Sequence, residues 1–177
     1  MLIGVTVPNF KAETTKGPMQ FYDWQADSWV VLFSHPADFT LVCITDIKSY
    51  CLDIPSDFPY PIIADPTREL AVSFGILDED QRKDPEIGKT IRTLFIISPD
   101  HKVRLTMFYP MTCARNVDEI LRVIDSMQLT DRLKVVATKA MIVPSITDAE
   151  AEKLFPKGFD KVNMPSGVNY VRTTENY

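Results

Sequence analysis

Two short apolar runs, at residues 29–33 and 93–97, are the strongest features of the hydrophobic pattern. Both are rich in β-branched and aromatic residues, so each predicts a strand, and we expect the first to be buried on both faces. A shorter run at residues 61–64 predicts a third strand. An Asp-Pro pair at residues 65–66 follows it as a helix N-cap and first helical residue, so we expect a short helix that ends near Gly75.

The segment after the second apolar run has the pattern of a β-hairpin. Residues 98–101, with the sequence Ser-Pro-Asp-His, have the composition of a type I turn with proline at its second position. Apolar residues then alternate with polar ones in a way that predicts a returning antiparallel strand, at Val103, Leu105, Met107 and Tyr109.

The clearest predicted helix begins at Asn116, which can cap it while Glu119 reaches back in a relative of the capping box. Apolar residues then recur at helical spacing and predict a face directed at the core: Val117, Ile120, Leu121, Ile124 and Met127. A second capping box, at Thr147 and Glu150, predicts a short helix that stops at Pro156.

Strands and helices alternate along the chain, which predicts an α/β fold. The length of 177 residues fits one ordinary domain or a domain with a short appendage. After about residue 129 the composition loosens and prolines recur. We therefore expect one domain over residues 1–130 and a small extension over residues 131–177. The extension is expected to end in a strand at residues 167–173 and to pack against another subunit.

Composition and charge exclude several classes of protein. With 45% apolar and 24% charged residues the chain can bury a core, which excludes wholesale disorder. A net charge of −5 without a local cluster of Lys and Arg excludes a nucleic-acid platform. The apolar runs are too short to span a bilayer, and the first residues lack the pattern of a secretory signal.

The cysteine and histidine content indicates the compartment and the cofactor requirement. Three cysteines do not suggest a disulfide framework, so we expect free thiols in a reducing compartment, the cytoplasm. Together with only two histidines, these scattered cysteines show no spacing typical of a metal site. We therefore expect no metal and no other bound cofactor.

The chemistry centres on Cys43, which follows the first apolar run after a short polar turn. A helix that starts near Thr40 places Cys43 in its first turn, where unpaired N–H groups and the helix dipole stabilise a thiolate. The Thr40 hydroxyl would then reach the sulfur or a bound oxygen, and a thiolate in this setting attacks a peroxide O–O bond. A buried structural cysteine explains the spacing equally well.

Residues 33–36, followed by Thr40 and Cys43, resemble the active-site signature Pro-x-x-x-Thr-x-x-Cys of the peroxiredoxins. Further matches run along nearly the whole chain and are specific for the one-cysteine subfamily. They lie at residues 8–10, 27–29, 61–65, 68–71, 92, 98–100, 109–110, 115–116, 118–122, 128–130, 154–156 and 165–167.

The resemblance implies a thioredoxin-like fold, a homodimer and peroxides as substrates. It also implies that Cys43 is the peroxidatic cysteine, oxidised to a sulfenic acid, while Thr40 holds the peroxide oxygen and Pro36 shields the pocket from water. Arg92 would stabilise the thiolate and the developing negative charge. His35 would hydrogen-bond near the sulfur, although a histidine that only caps the strand end fits equally well.

The remaining cysteines give no resolving thiol. Cys51 fits a structural role better than a resolving one, and Cys113 stands where the family has a small or polar residue. Arg115, two residues later, also matches a family position, but a simple salt bridge at the start of the next helix is the safer interpretation of that arginine. Regeneration then needs an external thiol, for which glutathione is the expectation at the level of the family.

The chain departs from the family after Cys43. In the family a long helix, a buried strand and a second helix precede the strand that corresponds to residues 61–64. Only residues 44–60 are available here, and a parallel crossover needs a dozen or more residues for one helix alone. We place the missing block after Thr45 and a smaller one after Thr138. The central sheet is then incomplete, and a catalytically impaired chain that acts as a dimerising partner is the alternative function.

Some members of the family also hydrolyse lipids with a serine, a histidine and an aspartate. Ser28 and Asp100 match two of these positions, but Tyr22 occupies the position of the histidine. Without an imidazole to take the serine proton the nucleophile lacks its base, so we expect lipid hydrolysis to be absent or very weak.

Overall fold

The structure, a computed structural model, describes residues 1–35, 59–77, 79, 83–84, 89–110, 112–133, 135–136, 140–167 and 171–174. The chain divides into two compact units, Met1–Arg115 and Asn116–Tyr177. The boundary predicted near residue 130 lies within the helix Val117–Leu133, and the division of the chain at that point stays a prediction. None of the helices in the described ranges is long and apolar enough to cross a bilayer.

The first unit contains two small sheets and two short helices. In chain order its elements are β1 Lys11–Thr14, β2 Gly17–Gln20, α1 Phe21–Gln25, β3 Val30–Phe33, β4 Ile63–Ala64, α2 Glu69–Ser73, β5 Arg92–Ile97 and β6 Val103–Tyr109. The strand orders are β2-β1-β4 and β3-β5-β6, with antiparallel pairing throughout. All four strands predicted for this part of the chain are therefore confirmed.

The burial of β3 differs from the prediction. All six residues of β5 are buried, because β5 lies between β3 and β6. In β3 only Val30 is buried and the other three residues are half-buried. The expectation of burial on both faces is therefore wrong for β3, which is the outer strand of its sheet in the described part of the chain.

Aromatic rings fill the core of the first unit on one face of β5. The rings of Phe10 and Phe21 stack with centroids 4.8 Å apart, and Phe10 also meets Phe74 edge-on at 5.5 Å. Phe74 in turn contacts Phe95 of β5 at 6.2 Å. These contacts join α1, the end of α2 and β5 around one apolar centre, which Val7 completes.

The helix α2 begins later than the sequence predicts. Proline at residue 66 was expected as its first residue, but α2 starts at Glu69, after Arg68 in the left-handed conformation (φ 59°). The Asp65 carboxylate still caps the helix from a distance, because it accepts the N–H groups of Leu70 at 3.3 Å and Ala71 at 2.9 Å. Residues 65–68 form a turn in place of the first predicted helical turn.

The turn between β5 and β6 has the predicted form. The His101 N–H donates to the Ser98 carbonyl at 2.9 Å, as in a β-turn. His101 has a positive φ of 62°, an unusual conformation for a residue other than glycine. From there β6 returns beside β5 in the register that pairs Arg92 with Tyr109.

The second unit contains a long helix, a small sheet and a short helix. Its elements are α3 Val117–Leu133, β7 Val135–Val136, β8 Ala140–Ile142, α4 Asp148–Leu154, β9 Asp160–Lys161 and β10 Arg172–Thr174, with the antiparallel strand order β7-β8-β10-β9. The capping box of α4 is confirmed in full, because Thr147 and Glu150 bond reciprocally. Ile142, Ala151 and Phe155 form the buried core of this unit.

The long helix α3 follows its predicted pattern only in part. Asn116 Oδ1 accepts the Glu119 N–H at 3.2 Å, but the Glu119 carboxylate pairs with Arg122. Ile120 is buried as predicted, whereas Leu121 is 54% exposed. Val123, outside the predicted stripe, is buried, so the buried face of α3 is rotated relative to the predicted one.

Candidate active site

The predicted site residues divide between described and undescribed parts of the chain. Pro36, Thr40 and Cys43 lie outside the described residues, as does Cys51. His35 and Arg92 are described. The structure therefore shows the end of β3, which precedes Cys43 in the chain, and the beginning of β5, which pairs with it.

Arg92 is the first residue of β5 and is almost completely buried, with 1% of its surface exposed. Alternation along the strand places its side chain on the same face as Leu94 and Ile96, both fully buried. A guanidinium keeps its charge when it is buried, so it requires hydrogen-bond acceptors or an anion beside it. A buried positive charge therefore lies at the beginning of β5.

The contact between Ser34 and Thr93 brings His35 and Arg92 to the same end of the sheet. Phe33 pairs with Leu94, and the Ser34 N–H continues the ladder by donating to the Thr93 carbonyl at 2.9 Å. His35 follows Ser34 directly in the chain, and Arg92 directly precedes Thr93. The Thr90 hydroxyl also donates to the His35 carbonyl at 3.1 Å. The two described site residues therefore lie at the same end of the sheet, on neighbouring strands.

Ser34 makes contacts that the sequence pattern did not reveal. Its hydroxyl donates to the Ile91 carbonyl at 2.7 Å and accepts the Thr93 N–H at 3.0 Å. These two peptide groups stand immediately before and after Arg92. A serine at a strand end is common, and only the three-dimensional register shows that this one bonds to both neighbours of the buried arginine.

Arg115 also contacts the end of β3 and the beginning of β5. It is buried, and its Nη1 donates to the Ser34 carbonyl at 2.9 Å and to the Thr93 carbonyl at 2.8 Å. Its guanidinium also lies over the Phe33 ring, 5.0 Å from the centroid. The predicted salt bridge at the start of the helix stays a prediction beside these contacts. Arg115 joins the end of β3 to the beginning of β5, two residues after the exposed Cys113.

A second polar cluster surrounds Gln25, which is buried. Its Nε2 donates to the carbonyls of Ser98 at 2.8 Å and Ser28 at 3.0 Å, which leaves Oε1 to accept from Nδ1 of His101 at 2.9 Å. The His101 ring stacks on Tyr22 with centroids 3.6 Å apart. Residue 22 itself carries no imidazole, but that of His101 lies against the Tyr22 ring. The expected lack of lipid hydrolysis stays a prediction.

Two further observations concern charged groups and possible metal ligands. A hydrogen bond from the Ser98 hydroxyl lowers the pKa of the Asp100 carboxyl, and the nearby Lys102 ammonium lowers that pKa further. In the part of the chain that the structure describes, no three His, Cys, Asp or Glu side chains are grouped so that they could hold a metal ion.

Comparisons with known proteins agree on one family. A model of the AhpC/TSA family matches residues 50–106. Peroxiredoxin-6 of Gallus gallus is 42% identical over 217 residues, with 98% of this chain and 97% of that protein covered. Peroxiredoxin-6 of Homo sapiens is 37% identical with the same coverage.

Solved structures give the same result. The crystal structure of a cysteine-to-serine mutant of the peroxiredoxin 6 of Arenicola marina matches with a TM-score of 0.86 and 38% identity, over 100% of this chain and 99% of that one. A yeast mitochondrial 1-Cys peroxiredoxin matches with a TM-score of 0.80 and 32% identity, over 98% of this chain and 99% of that one. The fold is the thioredoxin-like fold of the peroxiredoxins.

The chain therefore belongs to the peroxiredoxin family, the thiol-dependent peroxidases, and its relatives place it in the one-cysteine subfamily. It is an enzyme that reduces peroxides at the expense of a thiol. The alignment with the relative from Gallus gallus extends over 217 positions, although this chain has 177 residues. At least 40 positions of that alignment consequently have no residue in this chain. Their location after Thr45 and Thr138 stays a prediction.

Proposed function

We propose that Cys43 is the peroxidatic cysteine of this peroxidase. The observation that supports the proposal most is the position of Arg92, which is buried at the beginning of β5, the strand that pairs with the end of β3. The chain runs on from β3 to Cys43. A fixed positive charge at that point favours the thiolate over the thiol. The thiolate is the form of cysteine that attacks a peroxide.

The oxidation of Cys43 then needs only the peroxide and groups of the chain itself. The Cys43 thiolate attacks one peroxide oxygen, the S–O bond forms, and the O–O bond breaks. The second oxygen leaves as hydroxide or alkoxide and takes up the proton that the thiol released when it ionised, which gives water or an alcohol. The peroxide is thereby reduced and the sulfur is oxidised to a sulfenic acid. Thr40 holds the attacked oxygen, Pro36 keeps water from the pocket, and Arg92 stabilises the charge that develops on the leaving oxygen.

His35 completes the proposed site. Its backbone carbonyl accepts from the Thr90 hydroxyl, which fixes the point at which the His35 side chain leaves the backbone. The alternative role, a histidine that only closes the end of β3, predicts that replacing the ring leaves the reactivity of Cys43 unchanged.

An external thiol completes the cycle. The sulfenic acid condenses with one thiol to a mixed disulfide and water, and a second thiol releases Cys43 as a disulfide forms. Glutathione is the reductant that we propose. The yeast mitochondrial relative resolves its thiol through glutathione and thioredoxin systems, which supports this choice. We propose that no metal or prosthetic group takes part.

The proposal extends to assembly and location. We propose a homodimer in which residues 131–177 pack against the partner, and a cytoplasmic location. The family resemblance supports the dimer, and the three cysteines of the chain agree with a reducing compartment. Sedimentation of the purified protein tests the dimer, because a species of 20.1 kDa at micromolar concentration would exclude it.

Peroxide consumption with glutathione as the electron donor tests the assignment of Cys43. We expect Cys43→Ser to abolish turnover, whereas Cys51→Ser and Cys113→Ser keep it. Turnover that survives Cys43→Ser would overturn the assignment. A wild-type chain that turns over no peroxide while it forms dimers would instead support the alternative, an impaired partner, since at least 40 family positions are missing.

Arg92 is tested with a matched pair of arginines in neighbouring strands. Arg92→Lys keeps the charge but loses the planar, forked donors, and we expect it to lower the rate of Cys43 oxidation by about tenfold or more. Arg104→Lys, in β6, replaces a guanidinium that lies 5.3 Å from the Trp29 ring and is expected to leave that rate unchanged. Equal rates for the two variants would exclude a catalytic role of Arg92.

A further inference from the structure

The hydroxyl of Ser34 takes the place of one backbone acceptor in the hydrogen-bond ladder between the end of β3 and β5. In a regular antiparallel ladder every second pair of facing residues exchanges two backbone hydrogen bonds, and Ser34 and Thr93 stand where such a pair is due. The Ser34 N–H makes the first of them, to the Thr93 carbonyl at 2.9 Å. The second is different, because the Thr93 N–H donates at 3.0 Å to the Ser34 hydroxyl and not to the Ser34 carbonyl.

This exchange frees the Ser34 carbonyl for another donor. The carbonyl accepts from Nη1 of Arg115 at 2.9 Å, and the same nitrogen reaches the Thr93 carbonyl at 2.8 Å. All the hydrogen-bonding groups of Ser34, in both backbone and side chain, are therefore engaged within this corner of the sheet. Such a residue has little freedom to move relative to β5.

The Ser34 hydroxyl also fixes the backbone on both sides of Arg92. It donates to the carbonyl of Ile91 at 2.7 Å while it accepts the N–H of Thr93. The two peptide planes that determine the direction of the Arg92 side chain are thus held by one oxygen atom. That oxygen belongs to the residue that directly precedes His35 and leads into the Cys43 segment.

We propose that Ser34 is a positioning residue of the peroxidase site, which fixes the backbone of Arg92 at the strand end from which the chain runs on to Cys43. The inference rests on the roles proposed above for Cys43 and Arg92. Ser34 does not touch the peroxide; it acts through Arg92 and His35. Because the effect of a fixed charge on a thiol depends on distance, loss of this connection raises the apparent pKa of the Cys43 thiol and slows its reaction with peroxide.

The test compares Ser34→Thr with Ser34→Val, two variants of nearly equal shape that differ in the hydroxyl. We expect Ser34→Thr to keep the wild-type rate of Cys43 oxidation by hydrogen peroxide, followed by intact mass. We expect Ser34→Val, and also Ser34→Ala, to lower that rate by about 10- to 100-fold. Ser73→Ala, which removes an exposed hydroxyl that donates to the Leu70 carbonyl, serves as the control with unchanged rate.

A second measurement distinguishes positioning from stability alone. The pH dependence of Cys43 alkylation by iodoacetamide reports the apparent pKa of its thiol at temperatures where each variant is folded. We expect that pKa to rise in Ser34→Val and to remain at the wild-type value in Ser34→Thr. A lower melting temperature of Ser34→Val with an unchanged pH profile and peroxide rate would overturn the proposal, as would equal losses in the Thr and Val variants.

Failure of this inference is separable from failure of the assignment of Cys43. If wild-type Cys43 reacts rapidly and Ser34→Val reacts equally fast, Cys43 keeps its role and Ser34 has none. If wild-type Cys43 reacts no faster than an unfolded thiol, the assignment of Cys43 fails first and the inference about Ser34 fails with it. Should Ser34→Ala not fold, the Thr and Val pair alone decides.

Discussion

The guanidinium of Arg115 donates from a single nitrogen to the carbonyls of Ser34 and Thr93, at 2.9 and 2.8 Å, and so joins the end of β3 to the beginning of β5. Arg115 is the last residue of the first unit and is buried. The chain thus uses a residue far along the sequence to fix the point from which the segment with Cys43 departs.

We expect Arg115→Ala to lower the free energy of unfolding by about 1–3 kcal/mol, because it removes charged donors from two carbonyls in a buried corner. Arg115→Lys should lose nearly as much, since an ammonium on a flexible stem does not reproduce the guanidinium geometry. Urea unfolding measures the change. The control is Arg122→Ala, which removes only the exposed pair with Glu119 and should leave the midpoint unchanged. Equal midpoints for all three would contradict the role of Arg115.

The cap of α2 gives a second prediction about stability. Because both Asp65 carboxylate oxygens accept N–H groups of the helix, Asp65→Ala should lower the free energy of unfolding by about 1 kcal/mol, and Asp65→Asn by less. Glu152→Ala, at an exposed position of α4, is the control. A loss that is the same for Asn and Ala would mean that one of the two hydrogen bonds contributes nothing.

The second unit should lose stability in acid through Asp148. Hydrogen bonds and charge from Lys161 at 2.6 Å and Arg172 at 2.8 Å lower the pKa of the Asp148 carboxyl. Because the folded pKa lies below the unfolded one, the stabilisation is present above the unfolded value of about 4 and is lost as pH falls toward the folded value.

The measurement is the urea midpoint between about pH 6 and pH 3, a window around the unfolded pKa of an aspartate. Asp148→Asn should be less stable than the wild type at pH 6 and should show a flatter decline on acidification. Asp125→Asn, at an exposed position of α3, should retain the wild-type slope. A variant at residue 148 with an unchanged slope would show that the ion pairs contribute nothing to the acid response.

Hydrolysis of a phospholipid ester tests the polar cluster around Gln25. We expect no hydrolysis that depends on Ser28, because the ring at residue 22 is a phenol and Nδ1 of His101 is bonded to Gln25. Ser28→Ala and His101→Ala are the variants to compare with the wild type. Hydrolysis that both substitutions abolish would contradict the expectation and would make His101 the base.

Local pattern was sufficient for the strands and for α4. The run at residues 93–97 is rich in β-branched and aromatic residues, which favours a strand, and Thr147 with Glu150 satisfies the first N–H groups of a helix by itself. Both predictions, of the strand and of the helix, are confirmed. The beginning of α2 was missed because Asp65 caps it across an intervening turn, and sequence spacing gives no sign of the left-handed Arg68.

The candidate site was predictable only as a set of residue types. The resemblance identified Arg92, His35 and Arg115, but the part of Ser34 depends on a strand register that brings it beside Thr93. In that register a hydroxyl replaces a backbone carbonyl in the ladder, and no sequence pattern encodes such a substitution. Contacts between residues 34 and 115 are non-local, and they follow from the fold as a whole.

The decisive test of a peroxidase site built on Cys43 is the rate at which hydrogen peroxide converts this thiol to the sulfenic acid, in the native chain and in the urea-unfolded chain, followed by intact mass. We predict a native rate at least about a thousandfold higher, because a positioned thiolate beside a fixed charge reacts far faster than a free thiol. Equal rates in the two states would contradict the assignment, since Cys43 would then be an ordinary thiol.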